Sequence, residues 1–146
     1  MLSLYACDDL EVPNKDADYV IFGRYAGFCQ GDCFSVFRVN STSLVEDETS
    51  EYFTGDNYQF VPGRTLSDTH YGLAQVLLTK IPAELLVTSK TTFGCPDCAD
   101  QGGFYLSFSI GDVVKNIRLD TRQTDDQSEE VLLFKQQLSD VIQAIQ

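Results

Sequence analysis

Cysteine is the residue type with which this 146-residue chain could do the most chemistry. Of Cys7, Cys29, Cys33, Cys95 and Cys98, the last four form two close pairs, C-x3-C in "CQGDC" and C-x2-C in "GCPDCADQGG". Three chemistries suit such spacing. Four thiolates from two short-spaced pairs can close a tetrahedral zinc site. A C-x-x-C pair can exchange disulfides when its first cysteine opens a helix, whose amino end lowers the thiol pKa. Either pair can also be a structural disulfide, the usual state in an oxidising compartment.

The flanking residues favour the third. After Cys98 come "ADQGG" and an alternating strand pattern, so no helix terminus is at hand to activate Cys95 and a thiol oxidoreductase is disfavoured. Roughly 60 residues separate the pairs, which weakens the zinc motif; a structural zinc at Cys29, Cys33, Cys95 and Cys98 stands as the alternative cofactor reading. Four cysteines allow three disulfide connectivities, and the local pairs Cys29–Cys33 and Cys95–Cys98 are expected over links between the halves.

Cys7 is the odd cysteine, and its context, "LSLYAC", places Leu4 three residues before it and small Ala6 directly before it, as a bacterial lipoprotein cleavage site does. Tyr5 is bulky for such a site, and the preceding residues are too few for a basic region and an apolar region. Residues 1–17 are therefore read as a truncated leader or flexible tether, with a lipid on Cys7 as the only expected link to a membrane. No stretch approaches the roughly 18 apolar residues that a spanning helix needs.

Other chemistry is sparse. His70, the single histidine, falls in the first turn of an expected helix without recognisable partners, and no nucleophile-elbow, P-loop, dinucleotide-binding or H-E-x-x-H pattern is present. The chain is thus expected not to be an enzyme, and no catalytic residue is assigned. Asp125, Asp126, Glu129 and Glu130 lack the spacing of a calcium loop and are read as solvated charges at a helix start, while Asp97 and Asp100 precede a diglycine as turn residues. A net charge of −12 with no Lys or Arg cluster disfavours nucleic acid as a partner.

The elements that must position these residues read as one α+β domain over residues 18–146, a mostly antiparallel sheet covered on one face by two helices. "FYLSFSI" and "VVKNIRL" flank Gly111-Asp112, a hairpin signal that pairs Ile110 with Val113, Phe108 with Lys115, Leu106 with Ile117, Phe104 with Leu119, Tyr105 with Arg118 and Ser107 with Asn116. One face of that hairpin is apolar apart from Lys115, and the other is expected to be wet. Ser128 caps a helix whose Val131, Phe134, Leu138, Val141 and Ile145 make one stripe that suits the apolar face. Upstream, "DYVIFGRY" and "CFSVFRV" read as strands and "SDTHYGLAQVLLTKI" as a helix ended by Pro82, which can open a further turn through "PAELL". A cysteine pair, a strand and later a helix in each half suggest a degenerate ββα duplication. Between the halves, an acidic connection carries Tyr52, Phe53 and Tyr58, candidate binding contacts if exposed and edge plugs if not.

The "DYVIFGRYAGFCQGDCFSVFRV" opening and the "GCPDCADQGG" centre resemble those of small bacterial envelope proteins of lipoprotein-like or secreted type. The resemblance spans Asp18 to Val39 and Gly94 to the last helix, and it brings no catalytic residues. It implies a cell-envelope module, anchored at Cys7 or secreted, that binds an envelope protein or a small ligand.

Overall fold

The computed structural model describes residues 16–30, 33–49 and 58–146. Among the described residues seven strands form one sheet: β1 (Tyr19–Tyr25), β2 (Phe34–Asn40), β3 (Leu44–Asp47), β4 (Pro62–Thr65), β5 (Thr92–Phe93), β6 (Gly103–Ile110) and β7 (Val113–Asp120). Their order is β4-β3-β2-β1-β6-β7-β5, antiparallel throughout except for the short β5–β7 pair. Among the described residues the helices are α1 (Asp68–Ala74), α2 (Ala83–Val87) and α3 (Glu129–Ile145), with a 3-10 segment over Gln75–Thr79.

The β6–β7 hairpin adopts the register that its two-residue turn and alternation dictate, with all six expected pairs present. Gly111 makes the turn in the left-handed region at φ 59°, where a side chain would be strained. In α3, the Ser128 hydroxyl accepts from the Val131 N–H, and Glu129 and Glu130 occupy the first turn beside the positive end of the helix dipole. All five stripe residues of α3 are buried in one cluster with Phe104, Leu106, Phe108, Ile117 and Leu119 of the hairpin. Fully buried leucines such as Leu106, Leu119 and Leu138 each contribute about 2 kcal/mol of transfer free energy.

Two expectations change. The expected single helix after Ser67 tightens into the 3-10 segment after Ala74, and α2 follows directly on Pro82, so three α-helices replace the expected two. Ala74, Leu77 and Leu85 from these segments join the same cluster as α3. The second face of β6 is also not wet: Tyr105, Ser107 and Ser109 are buried, and only β7 leaves Val114 and Asn116 exposed. β6 lies inside the sheet between β1 and β7, and Tyr25, Ile21, Phe34 and Tyr58 gather around Tyr105 in a second, smaller cluster.

The acidic connection supplies β3 and most of the outermost strand β4. Ala17 is buried and its N–H donates to the Leu78 carbonyl at 2.9 Å, so the packed fold reaches back at least to this residue.

Candidate functional site: a polar cleft and a disulfide-bonded end

Both cysteine pairs are closed as disulfides, Cys29–Cys33 with Cα atoms 5.8 Å apart and Cys95–Cys98 with 5.5 Å. Each sulfur is thereby bonded within its own loop, which leaves none of the four as a thiolate for zinc. Cys95 is followed by turns rather than a helix, so the local context lacks the helix terminus that activates thioredoxin-like cysteines.

The sheet brings the two loops together. Antiparallel pairing sets Tyr25, the last residue of β1, beside Phe34 at the start of β2 and Gly103 at the start of β6, and pairs Gly103 with Asp120 at the end of β7. Both disulfide loops therefore leave the same end of the sheet. Asp97 ties them: its carboxylate accepts from the Gly27 N–H at 2.6 Å and from the Gly102 N–H at 3.0 Å. Asp97 and Asp100 hold left-handed backbone at φ 59° and 56°, a conformation aspartate tolerates better than most residues. Contact between the loops is close enough to demand glycine, because a Cβ on Gly102 would meet the Tyr25 carbonyl oxygen at 2.5 Å.

Beneath the Cys95–Cys98 loop lies a buried polar network that the sequence reading missed. The Asp120 side chain is 1% exposed and accepts from the Cys95 N–H, the Arg122 N–H and Gln101 Nε2 at 3.0, 2.9 and 3.1 Å. Burial pushes its pKa up, but these hydrogen bonds and the charge of Arg122 outweigh burial and hold the carboxyl below its ordinary value. Lys135 of α3, 7% exposed, donates to the Asp120 and Arg122 carbonyls and to Gln127 Oε1 at 2.9, 2.8 and 2.6 Å. Burial lowers the Lys135 pKa, with the Asp120 charge opposing it.

Asp126 proves more than a solvated charge. It accepts from Lys90 Nζ at 2.6 Å, Thr124 Oγ1 at 2.5 Å and the Gly94 N–H at 2.9 Å, and these donors, Lys90 first, hold its carboxyl far below the ordinary range. Asp125, Glu129 and Glu130 are exposed as expected, and His70 sits half-buried in the first turn of α1 with its N–H on the Ser67 hydroxyl.

Tyr58 is the one candidate contact among the described residues; Tyr52, Phe53 and Cys7 lie outside them. Its ring meets Tyr105 edge-on at 5.2 Å and Phe34 at 5.6 Å, while its hydroxyl donates to the Asp47 carboxylate. Burial, with the Asp47 hydrogen bond and charge, pushes its pKa well above the ordinary tyrosine value, and burial also raises that of Tyr105. Both phenols are therefore protonated donors across the physiological range.

Beside Tyr58 a cleft of about 290 Å³ opens, lined by Thr91, Thr92, Tyr105, Asn116, Ile117 and Arg118 together with Tyr58 itself. Its floor follows from register: Tyr105, Arg118 and Thr92 are partners across β6, β7 and β5 and form one row on the face opposite the main core. Tyr105 and Arg118 were paired in the sequence reading, but the cleft needs β5, a two-residue strand without a sequence signature. No protein-family model matches the chain, and no curated protein matches it.

Proposed function

We propose that the chain is a non-catalytic module of the bacterial cell envelope, tethered through a lipid on Cys7, that holds a small ligand in the cleft beside Tyr58. The observation that carries the binding reading is the row Tyr105, Arg118 and Thr92, polar groups converging on a concave surface next to the aromatic contact that the sequence singled out. The envelope location draws its support from two disulfides, at least one cysteine of each solvent-exposed, which a reducing cytosol would not maintain. His70 does not line the cleft.

The same geometry supports reading the domain as a degenerate ββα duplication: β1 and β2 precede α1, β6 and β7 precede α3, and β1 and β6 pair antiparallel inside the sheet. The cysteine loops are not equivalent under it, since one joins β1 to β2 and the other enters β6.

A fragment screen followed by amide chemical-shift mapping tests the binding reading. Hits should shift Thr91, Thr92, Tyr105, Asn116, Ile117 and Arg118 and weaken in Tyr58→Ala while the fold persists. If hits cluster elsewhere, or Tyr58→Ala unfolds the protein before binding changes, Tyr58 belongs to the packing and the site assignment fails.

A further inference from the structure

We propose that the Cys95–Cys98 disulfide is a reversible exchange site, which accepts two electrons from a partner bearing two neighbouring thiols and returns them without unfolding of the loop that carries it.

Access comes first. Cys95 and Cys98 are both exposed, whereas Cys33 of the other pair is half-buried. In such an exchange the partner attacks the disulfide with its own thiolate, so neither cysteine of the loop needs the activating helix terminus that the loop lacks.

The loop is held by hydrogen bonds that do not involve sulfur. Cys95 is fixed through its N–H, which donates to Asp120 Oδ2 at 3.0 Å, and through its carbonyl, which accepts from Gln101 Nε2 at 2.9 Å. The Cys98 N–H donates to the same carbonyl at 3.2 Å and ties the two cysteine backbones together in one turn. Around them the Gly94 N–H donates to Asp126 at 2.9 Å and the Ala99 N–H to Gln101 Oε1 at 2.8 Å. The Asp97 N–H donates to the Gly102 carbonyl and the Gly102 N–H to the Asp97 carboxylate, both at 3.0 Å, which closes the loop at its far end. Opening the sulfur bond leaves all of these in place, so the two thiols stay within reach of each other. A pair held in this way re-forms its own bond at high effective concentration instead of pairing with a cysteine elsewhere.

The step balances. A donor thiolate attacks one protein sulfur, the Cys95–Cys98 bond breaks and a mixed disulfide forms; the donor's second sulfur then displaces the protein sulfur. The donor leaves as a disulfide, and its two electrons and two thiol protons remain on Cys95 and Cys98.

The test uses dithiothreitol in place of the partner. Full-length protein is equilibrated in mixtures of reduced and oxidised dithiothreitol, quenched with acid and alkylated, and each cysteine pair is read by peptide mass, with amide hydrogen exchange measured in the same mixtures. Cys95–Cys98 is expected to open and re-form along one two-electron curve, while exchange at the Gly94, Cys95 and Gly102 amides rises less than about tenfold. Asp97→Ala, which removes the acceptor at the far end of the loop, should shift that curve about fivefold towards the dithiol. The wild-type curve needs no substitution and stands even if that variant fails to fold. Opening only when the whole fold unfolds, loss of amide protection across 94–102 on reduction, or re-oxidation through links to Cys29 or Cys33 each overturns the inference. An unchanged curve in folded Asp97→Ala overturns it as well, because the hydrogen bonds then do not hold the pair.

Discussion

The two disulfide loops have nearly the same covalent design and very different roles in the fold. Cys29–Cys33 and Cys95–Cys98 close loops of sequence separation 4 and 3, so loop-closure entropy assigns each about 2 kcal/mol and cannot distinguish them. Their surroundings do. The second loop rests on Asp120, Gln101, Asp126 and, through the Asp120 carbonyl, Lys135. Among the described residues, the contacts of the first include the Ala26 N–H on the Cys33 carbonyl and Gly27 on Asp97, and it presents Phe28 at 82% exposure. A short disulfide can thus be woven into a core or hung from it, and only the hydrogen bonds around it tell which.

Removing the support of the second loop should have the largest effect. Asp120→Ala leaves the Cys95 N–H, the Arg122 N–H and Gln101 Nε2 without their acceptor in a buried site, and a loss of about 4 kcal/mol is expected by urea denaturation. A loss no greater than that of an exposed aspartate would mean that water replaces the carboxylate there.

The two cysteine pairs give the direct comparison. Replacing Cys95 and Cys98 by alanine should cost about 3 kcal/mol, the loop entropy plus loosening of the network, whereas replacing Cys29 and Cys33 should cost about 2 kcal/mol. Equal losses would reduce both loops to chain entropy alone. Asp97→Ala, which removes two N–H contacts at a partly exposed site, should cost about 1 kcal/mol and leave both disulfides formed.

Acid should probe the same asymmetry. Asp120 and Asp126 both have folded-state pKa values below the unfolded value of about 3.9, so their contribution is complete above it and lost as pH falls through the lower folded values. Stability should therefore decline below about pH 4, and Asp120→Asn should flatten that decline more than any substitution in the Cys29–Cys33 loop.

Much of this fold was readable before any coordinates. The hairpin register followed from Gly111-Asp112 between alternating segments and the α3 boundary from Ser128 with two glutamates behind it, whereas the local cysteine pairing was favoured but is not fixed by spacing, which allows three connectivities. What stayed hidden depends on contacts between distant residues. Asp97 meets Gly27 only because β1 and β6 pair antiparallel, and Thr92 meets Arg118 only through a strand of two residues. One signal was available: Lys135 lies four residues after Val131 and three before Leu138, on the apolar arc of α3, where a buried cation demands partners. The full burial of β6 had no such marker, since Ser107 and Ser109 read as a wet face.

The most direct measurement is a non-reduced peptide map with intact mass on protein isolated from its native cell. Links Cys29–Cys33 and Cys95–Cys98, each confined to its own loop, together with acyl mass on Cys7, are the expected result. Four free thiols holding a zinc ion would contradict the account and place the protein in a reducing compartment.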